Sequence, residues 1–225
     1  MKMLVYGAVA VAAAAIGFGI YRYAIAPHAA PQAPPAAAAV PAPQSPAEQQ
    51  AEPTRDNGLP EVLPDFTLAD LDGTPRSIRS WTDKSMIVNF WATWCAPCRR
   101  EIPLLRRIQQ EHGAEGFQVV GVAVDFREDV LKYAKEIGID YPVLVGEQEG
   151  LDAVNSFGQG ALGFPFTVFT DRQQRIVLFH LGEIDEREAD ILLGAVSRVN
   201  GGELTPAAAR TVAAKQLAAL APAEG

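Results

Sequence analysis

The sequence predicts an α/β domain, a mixed central sheet with helices on both faces and a β-hairpin ahead of it. Three observations carry that prediction. Two continuous apolar runs, residues 86–91 and 117–125, read as buried strands, and the amphipathic stretch between them reads as the helix of a right-handed βαβ unit. Two later strand-like runs, 166–170 and 176–181, lie on either side of the polar turn Asp171-Arg172-Gln173-Gln174 and read as an antiparallel pair. Upstream, Phe66-Thr67-Leu68 and Arg76-Ser77-Ile78 flank Leu71-Asp72-Gly73-Thr74, a turn signal of the Asp-Gly type.

Taken in order, the chain starts with Lys2 and an uncharged apolar run over residues 3–20. As a helix rising ~1.5 Å per residue it would cover roughly 27 Å, close to a hydrocarbon core of ~30 Å. Tyr21, Arg22 and Tyr23 supply an interfacial flank. Ala24-Ile25-Ala26 has the small-x-small form of a signal-peptide cleavage site, but Pro27 would follow the cut and hinder it, so residues 1–26 read as a retained anchor rather than a cleaved signal. No cysteine follows the run, which excludes lipoprotein processing. Lys2 favours an inside N-terminus, with the remainder outside the cytoplasm.

Residues 27–58 are rich in Pro and Ala and cannot bury enough apolar surface to fold. They read as an extended spacer of ~3.1 Å per residue that holds a domain away from the lipid. The domain covers residues 59–200. After the hairpin, the strand at 86–91 and the helix that follows it, a helix is expected over 128–137 with Val130, Tyr133, Ala134 and Ile137 inward. A short strand at 143–145 and a short helix at 151–157 come next, and a helix over 186–199 closes the domain on Ile191, Leu192, Ala195 and Val199. Residues 201–225 form an Ala-rich tail, helical only in part, to which no function is assigned.

Chemistry concentrates at one junction. The strand at 86–91 breaks at Trp94, and Cys95-Ala96-Pro97-Cys98 opens a helix carrying Ile102, Leu105 and Ile108 on one face. Unpaired backbone N–H groups and the positive dipole end at a helix start favour a thiolate on the first sulfur. Pro97 fits there because a first-turn N–H has no helical partner to lose. Two intervening residues bring the second sulfur within disulfide reach, which is the geometry of a reversible dithiol.

Composition narrows the alternatives. The net charge of −8, with no clustered Lys/Arg run, argues against nucleic acid as a partner. Both cysteines of the chain sit in this one motif, so no structural disulfide framework remains. A zinc site needs about four ligands, and His28, His112 and His180 stand apart from the pair. Haem attachment wants His directly after the second Cys, where Arg99 stands. Neither metal nor cofactor is expected.

The residues also carry a resemblance. NFWATWCAPCRREIP (89–103) resembles the active site of the thioredoxin superfamily, and within it that of the membrane-anchored TlpA/ResA-like bacterial reductases. PDFTLADLDGTPRSI (64–78) is similar to that branch's N-terminal hairpin, and GFPFTVFTDRQQRIV (163–177) resembles its proline-loop strand pair. The likeness runs over about residues 63–199 and implies a thioredoxin-like fold. By resemblance, Cys95 is the attacking thiol and Cys98 the resolving one, the order that their places in the first turn also favour. Glu101, three residues on, matches a functional acid of this branch, and its other reading is a solvated helix-surface carboxylate. Asn89 departs from cytosolic thioredoxins, which place a buried Asp there, so any proton relay has to come from elsewhere. Pro165 matches the cis-proline facing the dithiol. The backbone of Phe164 before it would be free to pair with an extended substrate segment. Trp94 reads as part of an apolar rim around the thiol, with a core aromatic as the rival.

The reading is a membrane-tethered, extracytoplasmic thiol–disulfide oxidoreductase working as a reductase. The resemblance implies electrons from a membrane thiol-transfer protein, and targets such as apocytochrome c or other oxidised proteins. A disulfide-forming oxidase of the same fold is the rival within the class. A thiol peroxidase of the AhpC/TSA kind shares the Pro64-Asp65-Phe66 start, but Ala92-Thr93-Trp94 before Cys95 lacks that family's Thr and Pro pattern. A redox-inert binding module would not need the intact dithiol.

Overall fold

The computed structural model describes residues 60–158 and 163–220. The expected anchor and spacer lie outside these residues. No helix among the described residues is long and apolar enough to cross a membrane.

Among the described residues, seven strands and five α-helices build the domain. The strands are β1 (Thr67–Asp70), β2 (Pro75–Ser77), β3 (Ser85–Trp91), β4 (Phe117–Ala123), β5 (Val143–Val145), β6 (Phe166–Thr170) and β7 (Ile176–Leu181). The helices are α1 (Ala96–His112), α2 (Arg127–Ile137), α3 (Gln148–Asn155), α4 (Glu186–Asn200) and α5 (Pro206–Leu220). They form one mixed sheet of order β2-β1-β5-β4-β3-β6-β7. β3, β4 and β5 run parallel, as two βαβ units require, while β1, β2, β6 and β7 join antiparallel.

Alternation along the central strands sorts the side chains. Met86, Val88 and Phe90 of β3 join Val120 and Val122 of β4 in the core under α3. Ile87 and Trp91 face the other way, into the core shared by α1, α2, α4 and α5. Ile102, Leu105 and Ile108 of α1 are buried there as expected, each worth roughly 1.5–3 kcal/mol. Pro103 is carried inside α1 without ending it. The predicted hairpin is present, with Gly73 at φ +85° in its turn.

Several boundaries differ from expectation. β4 ends at Ala123, two residues early, because the Asp125 carboxylate turns to accept the N–H groups of Thr93 and Phe126. α3 starts at Gln148, since its first turn is polar and carries no apolar period. The Ala-rich stretch after residue 205, expected to be helical in part, holds the fifteen-residue helix α5. Ala209 and Ala213 are fully buried against α4 and β7, where only small side chains allow so close an approach.

Candidate active site

The dithiol lies where β3 hands over to α1. Cys95 N–H closes a turn onto the Ala92 carbonyl at 3.2 Å, and Cys95 then serves as N-cap of α1, its Sγ accepting the Cys98 N–H at 3.3 Å. The two sulfurs form a disulfide, with Cα atoms 5.3 Å apart. Cys95 keeps 5% of its surface exposed and Cys98 none, so an incoming group meets Cys95 first.

Around the sulfurs stands a partly aromatic rim. Trp94 is 69% exposed, which removes its reading as a core aromatic. Its ring centre lies 6.1 Å from that of Phe164, which also stacks on Phe166. The Phe164–Pro165 peptide is cis, as the resemblance implies. The Pro165 carbonyl accepts the Gly182 N–H at 2.9 Å.

Behind the sulfurs, Glu101 is only 1% exposed, so it is not a solvated helix-surface carboxylate. Its Oε1 accepts Asn89 Nδ2 at 2.8 Å, and its Oε2 accepts the Ile184 N–H at 3.1 Å. Asn89 Nδ2 also reaches Thr167 Oγ1 at 3.0 Å. Burial pushes the carboxyl up to about 7; the two N–H donors pull against that, and nearby Glu183 adds to it. One helical turn separates Cys98 from Glu101, a spacing that makes side chains neighbours. The arrangement can therefore hold or release a proton beside the inner sulfur near neutral pH.

The structure thus brings Cys95, Cys98, Glu101 and Asn89 into one group, and sets Trp94 against Phe164, which the cis peptide joins to Pro165. Sequence reasoning missed Thr167, the Ile184 amide and Asp125. Asp125 accepts both the N–H (2.9 Å) and the hydroxyl of Thr93, fixing the turn that carries Trp94 and Cys95. Its one signal was an acid closing an otherwise apolar run.

Comparison with known proteins follows this geometry. The model of the AhpC/TSA family matches residues 60–178, more than half of the chain. The chain belongs to the AhpC/TSA family. The chain is 31% identical over 116 residues to the thiol-disulfide oxidoreductase ResA of Geobacillus thermodenitrificans, covering 51% of this chain and 64% of that protein. It is 30% identical over 134 residues to the thioredoxin-like protein YneN of Bacillus subtilis, covering 58% and 75%. A thiol:disulfide interchange protein of the thioredoxin family from Chlorobium tepidum superposes with TM-score 0.53 at 34% identity, over 65% of this chain and 97% of that one. A secreted thiol-disulfide isomerase from Corynebacterium glutamicum gives 0.52 at 29%, over 57% and 80%. The fold is thioredoxin-like, and within the AhpC/TSA family the relatives mark the class as thiol–disulfide oxidoreductase. Neither they nor residues 92–94 favour a peroxidase.

Proposed function

We propose that this protein is a membrane-tethered, extracytoplasmic thiol–disulfide oxidoreductase that reduces protein disulfides. The observation that carries the reading is the Cys95–Cys98 pair at the mouth of α1 with the buried Glu101 one turn behind it. In the reduced enzyme the Cys95 thiolate attacks one sulfur of a target disulfide. The target S–S bond breaks, a mixed disulfide forms, and the leaving target thiolate takes up a proton. The Cys98 thiol passes its proton to the Glu101 carboxylate, and its thiolate attacks the Cys95 sulfur. The Cys95–Cys98 bond forms, the second target thiolate leaves and is protonated, and two electrons have moved to the target. A membrane thiol-transfer protein returns the enzyme to its dithiol by the reverse exchange. Phe164 offers its backbone and Trp94 its ring to an extended target segment, apocytochrome c or another oxidised chain. The uncharged run at 3–20 and the Pro/Ala spacer support the tether and the outward placement.

Insulin-disulfide reduction tests the chemistry. Cys95→Ser is expected to abolish it and Cys98→Ser to accumulate mixed disulfides, whereas a Cys95→Ser protein retaining most of its activity would overturn the mechanism. The tether predicts that the full chain stays with membranes through an alkaline carbonate wash. A soluble product beginning near Pro27 would show a cleaved signal instead.

A further inference from the structure

Gly182, Glu183 and Ile184, which join β7 to α4, touch three parts of the site at once. The Gly182 N–H donates to the Pro165 carbonyl, and the Ile184 N–H donates to Glu101 Oε2. Between them the Glu183 carboxylate receives Arg100 Nε at 3.0 and 2.9 Å and Nη2 as well. Arg100 precedes Glu101 on α1, so the pair fastens this segment onto the helix directly beside the buried acid. The Arg100 side chain is 62% exposed and that of Glu183 33%, which puts the fastening on the outer surface with the acid beneath. Gly182 sits at φ +106° with open space where a Cβ would stand, so this corner is shaped to turn rather than to pack.

We propose that residues 182–184 are a strap across Glu101, and that Arg100 and Glu183 are positioning residues that hold it shut. The inference rests on Glu101 serving the dithiol as proposed above. With the strap seated, the carboxyl's partners among the described residues are Asn89 from β3, the Ile184 amide and the Glu183 charge from the strap, and the buried Tyr141 phenol within electrostatic range. On its own helix stand the two sulfurs, and Arg100 acts on it through Glu183. With the strap loosened, water replaces these surroundings, and the acid loses the burial that keeps its proton near neutral pH. A bidentate guanidinium–carboxylate pair suits this duty because its geometry, more than its charge, fixes the segment. As an exposed pair it is also weak enough to open.

Two variants separate the strap from a plain charge effect. Glu183 raises the Glu101 carboxyl through its charge, so Glu183→Gln lowers the midpoint under either account. Arg100→Gln leaves Glu183 without its partner. Direct repulsion alone would then raise the midpoint, whereas an opened strap lowers it. The measurement is the pH titration of the Glu101 carboxyl carbon by NMR in the disulfide form, with amide hydrogen exchange of Ile184 beside it. Both variants are expected to titrate below about 7, with Ile184 exchanging about threefold faster, and Arg100→Lys should restore part of each change. An Arg100→Gln midpoint that is unchanged or higher would overturn the strap, as would unchanged exchange at Ile184. Both readouts are taken on the oxidised protein without substrate. A wild-type protein inactive on insulin would therefore defeat the proposed function and leave the strap standing, and the reverse result would do the opposite.

Discussion

Asn89 can serve Glu101 in either of its charge states. Asn89 Nδ2 donates to the carboxyl, the arrangement an ionised acid requires, and Asn89 Oδ1 has no hydrogen-bond partner among the described residues. When the carboxyl is protonated, a half-turn of the amide would offer that oxygen to the acid proton, and the Thr167 hydroxyl can switch from acceptor to donor to follow. An aspartate in this place would instead set a second negative charge against the first. The titration has a cost in stability whose sign is fixed. The folded carboxyl titrates near 7 against 4.5 for the free side chain, so between these values the folded state holds a proton that the unfolded state has released. The stabilisation is fully present below pH 4.5 and is lost as the pH rises through about 7. Its size is about 3 kcal/mol. Urea unfolding of the oxidised wild type and of Glu101→Gln should therefore give a stability difference that changes by roughly that amount across the window. A difference independent of pH would mean that Glu101 reaches water freely.

The strand–helix junction shows what a sequence makes legible and what it hides. β3, α1 and β4 were readable because each repeats its own period over many residues, and the dithiol was readable because both sulfurs fall within a single turn. Glu101 could be placed beside Cys98 by helix spacing alone, but its burial could not. That burial depends on Ile184, 83 residues away, and on Asn89 from the neighbouring strand, contacts that only the folded chain creates. The Thr93–Asp125 tie spans 32 residues and was hidden for the same reason. Part of α5 was readable as helix, but its packing was not, because alanine at nearly every turn leaves no apolar stripe to read, although two of those alanines are core residues. Gly121 belongs to the hidden kind as well. It pairs with Asn89 in the β3–β4 register, and a Cβ there would stand 2.9 Å from Trp91 Nε1 and 3.3 Å from Tyr141 Cε2. Gly121→Ala should overpack the layer behind the dithiol and cost about 1–3 kcal/mol in urea unfolding. An unchanged midpoint would show that Trp91 and Tyr141 yield without strain.

At the scale of the molecule, a seven-stranded sheet has two outer strands, and each is blunted differently. β2 is only three residues long and begins with Pro75, which has no N–H to offer. Beside the start of β7 the chain lays residues 61–63, where Ile176 N–H reaches the Glu61 carbonyl and Leu63 N–H the Gln174 carbonyl. α5 adds Arg210, whose guanidinium donates to the carbonyls of Ile176 (2.7 Å) and Val177 (3.1 Å). Arg210→Ala would leave those two acceptors free to take donors from another chain. The variant should self-associate with rising concentration in sedimentation velocity while the wild type does not, and identical profiles would show that α5 shields the edge by packing alone. On the proposed function, this shielding bears on release more than on recognition. A catalyst of disulfide exchange works among incompletely folded chains whose backbone groups seek any open sheet. Each one held at β7 would be a product retained after its sulfurs had finished reacting. Closing that side keeps the dwell time of a client set by the lifetime of the mixed disulfide, so turnover is governed by sulfur chemistry and not by adhesion.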